Sequence, residues 1–318
     1  MVHISTNISE AVACLNREEI IGLPTETVYG LAGNIYSEKA VRKIFDMKQR
    51  PLFNPLIVHI GRTEAVEQIA QNIPEQAYAL IAAFWPGPLT LVLDRRPGIP
   101  DLITAGKNTV AVRMPNHPMA LALLEALEYP LAAPSANPFG SISPTTAQHV
   151  ADYFRDKLEL VLDGGPCARG VESTIVGFPN GVPTLYRHGS TPAEDIEAVL
   201  GQLAYITHKE NAPDAPGMLA RHYAPATRTI RSAHMAQTAA EYPDLKIGLL
   251  LFDQAVEAPN ATHQEILSPS GDLKEAAMHL YAAMHRLDQM GLDLIIAQQF
   301  PNSGLGRAIN DRLDRAGK

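Results

Sequence analysis

Four basic side chains stand at the ends of separate segments of this chain: Lys48 and Arg50 close a helix-patterned stretch, Arg113 ends a strand-patterned one and Arg187 ends another. Cations carried by distant elements can converge on one crevice at an edge of an α/β sheet and bind an anion there. Arg113 makes the strongest case, because Val110, Val112 and Met114 set it in apolar sequence and a buried guanidinium needs a counter-charge. Three loops of small residues offer the complement: Ala133-Pro134-Ser135-Ala136-Asn137-Pro138, Ser141-Ile142-Ser143-Pro144, and the pair 163–167 and 170–174. Such loops bring backbone N–H groups and short hydroxyls close to an anion without steric cost. Any one cation reads equally as solvated surface charge and any one loop as an ordinary turn. Together they point to a phosphate-bearing ligand.

Other chemistries find no support. There is no GxxxxGK[ST] phosphate loop, Gly304-x-Gly306 reads as a helix start, and the eleven histidines form no HExxH or Cys/His ligand cluster. Cys167 lies in a loop with no base close in sequence. Without a nucleophile or a metal cage, catalysis would rest on positioning and charge neutralisation. Phosphoryl and nucleotidyl transfer work in that way, with Mg²⁺ carried by the phosphates.

These residues must be held by an alternation of helices and strands. Ser37 is a natural N-cap for a helix whose apolar face is Ala40, Val41, Ile44, Phe45 and Met47; Pro51 stops it, and Asn54-Pro55 turns into a strand at 56–60 that carries His59. Helices are predicted at 9–16, 75–84, 118–127, from a cap at Ser143-Pro144-Thr145 to Phe154, and at 191–200; strands at 20–23, 89–93, 110–113, 131–133, 160–163, 173–178 and 183–186. From 207 to 228 the chain is Pro-punctuated and poor in aliphatics, as in a linker. Beyond it, strands at 246–252 and 294–298 and helices at 273–290 and 305–315 predict a small α/β layer domain.

Composition narrows the class. At 318 residues the chain can bury two cores, and 46% apolar with 19% charged residues is ordinary for a globular protein. A net charge of −8 argues against a general nucleic-acid or membrane-surface binder. Cys14 and Cys167 show no pairing pattern, and no signal peptide or membrane-length apolar run is visible, so a cytoplasmic location is expected. Residues 39–62 are nevertheless locally basic, with six Lys/Arg against Asp46 alone.

The stretches Pro24-Thr25-Glu26-Thr27-Val28-Tyr29-Gly30-Leu31, Lys48-x-Arg50-Pro51, Asn54-Pro55-Leu56, Ser135-Ala136-Asn137 and 170–176 (GVESTIV) resemble the motifs of the YrdC-type threonylcarbamoyl-adenylate synthases. Ala215-Pro216-Gly217-Met218 with Arg221-His222-Tyr223-Ala224-Pro225 resembles the linker of that family's two-domain form, and Gly304-Leu305-Gly306 through Asn310-Asp311-Arg312-Leu313 resembles the end of its second domain. Leu219-Ala220 departs from the basic-aromatic pair usual in the linker.

The resemblance implies a YrdC-like catalytic domain at 1–206 (a twisted, mixed, open sheet flanked by helices), a lid at 207–228, and a smaller Rossmann-like α/β domain at 229–318. It implies a nucleotidyltransferase that joins L-threonine, bicarbonate and ATP, with Mg²⁺ accompanying the ATP, into threonylcarbamoyl-AMP and pyrophosphate. A separate threonylcarbamoyl transferase complex would then modify the adenosine beside the tRNA anticodon. Carried over by position, Thr27, His59, Arg113, Ser173 and the backbone at Ala133 would hold threonine. Arg50, Asn54, Thr109, Ser135, Asn137, Ser143, Arg187 and Tyr223 would hold the nucleotide, with Lys48 and Arg50 facing the phosphates as the catalytic pair.

Chemical sense agrees for Arg113, whose fork suits a carboxylate, and for Thr27 and Ser173, whose hydroxyls stand where a core would place methyls. His59 fits either a ligand contact or a satisfied core histidine. For the second domain the sequence suggests no clustered polar set, leaving closure or partner contact. Two rival readings remain: a double-stranded-RNA binder using the 39–62 cations as a phosphate footprint, against which residues 1–205 carry 15 Lys/Arg and 21 Asp/Glu; and a sensor that binds ATP and threonine without turnover.

Overall fold

The computed structural model describes residues 2–206, 215–218 and 222–318. Arg221 and the Leu219-Ala220 pair lie outside the described residues. The first part of the chain builds one mixed sheet from β1 (His3–Ser5), β2 (Ile21–Leu23), β3 (Gly30–Asn34), β4 (Ile57–His59), β5 (Ala70–Gln71) and β6 (Leu89–Arg95). It is completed by β7 (Thr109–Arg113), β8 (Leu131–Ala132), β9 (Leu160–Leu162), β10 (Thr174–Gly177), β11 (Thr184–Arg187) and β12 (Ala204–Tyr205). Their order is β1-β9-β2-β3-β8-β4-β7-β6-β10-β11-β12, with β5 paired to β6. The helices of this part are α1 (Ile8–Asn16), α2 (Glu38–Lys48), α3 (Val66–Ile69), α4 (Glu75–Phe84), α5 (Asp101–Thr104), α6 (Pro118–Glu125), α7 (Ala147–Phe154) and α8 (Ala193–Leu200).

Local rules explain the element that leads to the site. Ser37 Oγ accepts from Ala40 N, Glu38 sits in the first turn, and Ala40, Val41, Ile44 and Phe45 are buried along one face of α2. Gln49 closes the helix in the left-handed conformation at φ 52°. For α7 the cap is Thr146, whose side chain accepts from His149 N, rather than the expected Ser143-Pro144-Thr145. The backbone N–H of Thr145 is instead directed at His149 Nδ1, 3.3 Å away, and Ser143 is drawn into a buried network described below.

Strand periodicity separates two faces of the sheet. Val58, Leu91, Leu93, Val110, Val112, Val176 and Leu185 join the main core with Ile44 and Phe45, whereas Ile57, Val92, Ala111, Ile175 and Tyr186 form a small cluster on the other face. Ala215 and Met218 of the linker cover that second face.

The second domain is a four-stranded parallel sheet, β13 (Thr229–Ser232), β14 (Ile247–Leu251), β15 (Ala261–Ile266) and β16 (Leu294–Gln298), in the order β13-β16-β14-β15. Helices α9 (Met235–Ala240), α10 (Leu273–Asp288) and α11 (Leu305–Ala316) accompany it. The domains are in close contact: Gly170 lies at φ 73°, and a Cβ there would stand 2.3 Å from Ala277 O on α10. Val28, Ile142 and Val171 of the first domain join the core built on α10 and α11. Among the described residues no helix is long and apolar enough to cross a membrane.

Candidate active site

A cavity lies on the face of the sheet that carries Ile57, where the sequence suggested a crevice at an edge of the sheet. Thr25, Thr27, Arg50, Ile57, His59, Arg113, Ala133, Ser135, Glu172, Ser173 and Arg187 line it from the first domain, and Pro216, Gly217, His222 and Tyr223 from the linker. Alternation places Pro55, Ile57 and His59 on one side, and the parallel β4–β7 ladder sets His59 opposite Arg113. Arg187 reaches the same face through a register shift in the β10–β11 pair. Val176 faces Leu185 but Ile175 faces Arg187, so the extra residue, Tyr186, turns the strand end over.

At one end the geometry suits a small amino acid. Arg113 is 4% exposed; its Nη1 donates to Thr27 Oγ1 at 2.9 Å, its Nε to Gly87 O at 3.2 Å, and its Nη2 lies 2.6 Å from Glu26 Oε1. The PTET turn is held by Thr25 Oγ1, which donates to Val28 O at 2.6 Å and accepts from Thr27 N at 3.2 Å. Burial, with Arg113 adjacent, pulls the His59 pKa down to about 3, so the ring is neutral at ordinary pH. Its Nδ1 lies 3.3 Å from Ile57 O. In the tautomer that donates there, Nε2 is an acceptor. Ser173 Oγ, 2.7 Å from Thr90 Oγ1, accepts from Arg187 Nη2 at 3.1 Å.

At the other end the cations gather. Arg50 is buried; its Nη2 donates to Asn54 Oδ1 at 2.7 Å and to Pro55 O at 2.8 Å. Arg187 donates to Ser173 O from Nη2 at 2.8 Å and to Pro216 O from Nη1 at 3.5 Å. Burial lowers the pKa of both guanidiniums, and nearby cations add to the effect, Arg187 on Arg50 and Arg312 with Arg315 on Arg187. An entering anion would relieve that strain. Tyr223, at φ 64°, presents a hydroxyl that has no partner among the described residues.

Several expectations need correction. Lys48 does not line the cavity: its Nζ donates to Ser135 O at 2.5 Å and Asn137 O at 2.6 Å, so it clamps the 135–137 loop from behind. A fully buried lysine amino group must find acceptors, and where the last turn of α2 meets this loop the carbonyls supply them. Asn137 likewise supports that loop, its Nδ2 donating to Pro138 O and Ser141 O. Asn54 stands behind Arg50, and Ser143 Oγ donates to Glu172 Oε1 at 2.6 Å, one layer back from the wall. Thr109 opens β7, four residues before Arg113 and roughly 13 Å along the strand, outside the cavity.

The basic stretch 39–62 is not a free footprint either. Lys39 pairs with Glu18, Lys43 with Glu19 and Arg42 with Glu38, while Lys48 and Arg50 are buried. Chain folding brings in acids that the local count could not see.

The second domain supplies what the sequence did not foretell. The Glu172 carboxylate accepts from Ser143 Oγ, from Tyr281 OH at 3.1 and 3.0 Å, and from Arg312 Nε at 2.8 Å. Burial pushes its pKa up, but Arg312 and Arg187 outweigh that and hold the carboxyl below the usual range. The guanidinium carbons of Arg312 and Arg315 stand 4.7 and 4.8 Å from the centre of the Tyr223 ring. The signal was in the sequence, as Arg312 and Arg315 lie on α11 beside Asp311, but nothing local marked them as facing another domain.

Comparison with known proteins accords with this arrangement. The family model described as Telomere recombination, for the Sua5, YciO and YrdC proteins, matches residues 13–189, and the model for the C-terminal domain of threonylcarbamoyl-AMP synthase matches residues 191–317. The chain is 39% identical to a threonylcarbamoyl-AMP synthase of Pyrococcus abyssi, over 96% of this chain and 92% of that protein. It is 39% identical to one of Bacillus subtilis, over 98% and 94%. The crystal structure of P. abyssi Sua5 complexed with L-threonine superposes with a TM-score of 0.93 at 38% identity, covering 100% of this chain and 97% of that one. The chain therefore belongs to the two-domain threonylcarbamoyl-AMP synthase family of enzymes.

Proposed function

We propose that the protein is a threonylcarbamoyl-AMP synthase, a nucleotidyltransferase that consumes L-threonine, bicarbonate and ATP and releases pyrophosphate. The observation that carries this reading is the pairing in one cavity of an amino-acid-sized polar end (Thr27, His59, Arg113, Ser173) with a cationic end (Arg50, Arg187). Its product is an activated acyl-adenylate, to be consumed by a transferase acting on tRNA adenosine, and the reaction suits a cytoplasmic protein.

In this reading Arg113, already braced by Glu26 and Thr27, pairs with the threonine carboxylate. Neutral His59 accepts a hydrogen bond from the substrate's hydroxyl or amine, and Ser173 fixes its other polar edge. Threonine's amine adds to the bicarbonate carbon, a C–O bond breaks with loss of water, and the carboxylate of the resulting carbamate attacks the α-phosphorus. The P–O bond to the β-phosphate breaks and its electron pair leaves with pyrophosphate. Arg50 and Arg187 neutralise the charge that develops, each contributing ~2–4 kcal/mol as do other preorganised donors. Lys48 acts at one remove, by shaping the Ser135–Asn137 loop.

Magnesium finds no ready cage among the described residues. The carboxylates nearest the cavity, Glu26 and Glu172, are engaged with Arg113 and Arg312, and no group of three His, Cys, Asp or Glu side chains among the described residues could hold a metal ion. We therefore infer that Mg²⁺ enters as the counter-ion of ATP. The cavity is narrow, about 50 Å³ at the scale of a water molecule, so Pro216–Gly217 and Tyr223 must withdraw to admit a nucleotide.

The test is pyrophosphate release from Mg-ATP with threonine and bicarbonate added singly and together. Release only with both supports the reading. Binding of ATP and threonine without release would favour a sensor.

A further inference from the structure

The second domain has no place in the mechanism as described, yet its largest fully buried side chain points at the site. Arg312 is 0% exposed. Its Nε donates to Glu172 Oε2 at 2.8 Å, its Nη1 to Asp311 Oδ2 at 2.5 Å and its Nη2 to His188 O at 2.9 Å, while its plane lies over the ring of Tyr223. Three of those partners sit at the cavity wall or next to it: Glu172 and Tyr223 line it, and His188 follows Arg187. Burying a guanidinium costs several kcal/mol that an aliphatic side chain would avoid, so packing of α11 alone does not call for one.

Tyr223 shows why such a group is useful. Its backbone is left-handed at φ 64°, a conformation that a tyrosine holds only under outside constraint. The constraint comes from α11: the Arg312 guanidinium lies over the ring at 4.7 Å from its centre, Arg315 at 4.8 Å, and His222 N donates to Arg315 O at 3.2 Å. The hydroxyl so aimed into the cavity, unpartnered among the described residues, stands beside Gly217, whose notional Cβ would be 3.2 Å from it and 2.7 Å from Arg187 Nη1. Arg312 thus sets two walls at once, the Tyr223 ring on the linker side and the Glu172 carboxylate on the β10 side.

We propose that Arg312 is a positioning residue for the nucleotide end of the site, acting through Tyr223 and Glu172; this rests on the functional reading above. The two-domain enzyme then carries part of its ATP-binding geometry on a helix of the second domain, and the threonine end, built on Arg113 and Thr27, is independent of it.

The experiment measures steady-state pyrophosphate release by the full-length wild type, Arg312→Lys, Tyr223→Ala and the double variant, with melting temperatures. Lysine keeps the charge but loses the planar fork and the stacking. We expect the ATP KM of R312K to rise ~10-fold or more and the threonine KM to stay within ~2-fold, with a less-than-additive further rise when R312K is added to Y223A, because only the Glu172 route then remains. An unchanged ATP KM, an additive double variant, or parallel loss for both substrates with a fallen melting temperature overturns the proposal. If R312K is insoluble, Arg312→Gln with Glu172→Gln removes both buried charges together and must show the same ATP-selective defect. Absence of release by the wild type itself would sink the functional reading instead. Calorimetric titration of wild type and R312K with ATP then decides Arg312 separately: weaker binding by R312K supports its role, and equal binding ends it.

Discussion

His59 and Arg113 are Cα partners in the parallel β4–β7 ladder, so one neutral imidazole and one guanidinium emerge side by side on the cavity face. Arg113→Lys keeps charge but not the fork, and the threonine KM should rise ~10-fold or more with the ATP KM little changed. Because burial beside Arg113 holds the His59 pKa near 3, no titration of this ring should appear in the kcat/KM profile between pH 6 and 8. An inflection near 6.5 that vanishes in His59→Gln would contradict this.

Gly217 holds φ 78°, and an added Cβ would meet Arg187 Nη1 at 2.7 Å. Gly217→Ala should keep the linker from seating, cutting turnover ~10-fold or more while the melting temperature of the protein moves by only a few degrees. Wild-type turnover in this variant would show that the seated linker has no part in catalysis.

Lys48→Met should destabilise the protein, not merely silence it. Removing a buried amino group that serves two carbonyls, Ser135 O and Asn137 O, leaves both acceptors without that donor and should cost ~2–3 kcal/mol by denaturant titration. An unchanged midpoint together with lost activity would restore Lys48 to the phosphates.

His149 on α7 and His285 on α10 stack across the domain boundary with ring centres 4.0 Å apart. Burial, reinforced by His285 and Arg286, lowers the His149 pKa to about 4, and burial lowers that of His285 as well; Asp152 opposes the shift of His149, and the Ser143 carbonyl, Asp288 and Asp152 oppose that of His285. With folded values below the unfolded 6.5, both rings contribute stability that is fully present above pH 6.5 and is lost as pH falls towards 4. The melting temperature should fall over that window by an amount equivalent to ~3 kcal/mol at most for His149. His149→Gln should flatten the slope, and an unaltered slope would assign the acid sensitivity elsewhere.

Duplex RNA should show no salt-sensitive binding through residues 39–62, because Lys39, Arg42 and Lys43 already face Glu18, Glu38 and Glu19. A steep salt slope, lost on neutralising those three cations, would revive the RNA reading.

Sequence alone determined most of the elements and the inventory of the site. The N-cap at Ser37, the alternation into Arg113, the glycine and proline punctuation and the PTET and GVEST stretches are local features, because helix caps, strand faces and turns are set by residues within a few positions. Tertiary structure decided which of those residues face the cavity. Lys48 and Arg50 are two residues apart, yet one supports a loop while the other lines the cavity. The bulge at Tyr186 turns Arg187 inward, and Thr109 and Arg113 occupy opposite ends of one strand. The contact of the second domain with the cavity wall belonged wholly to the fold: Glu172 meets Arg312 across 140 positions, and no short-range pattern encodes a charge pair closed only when two cores dock.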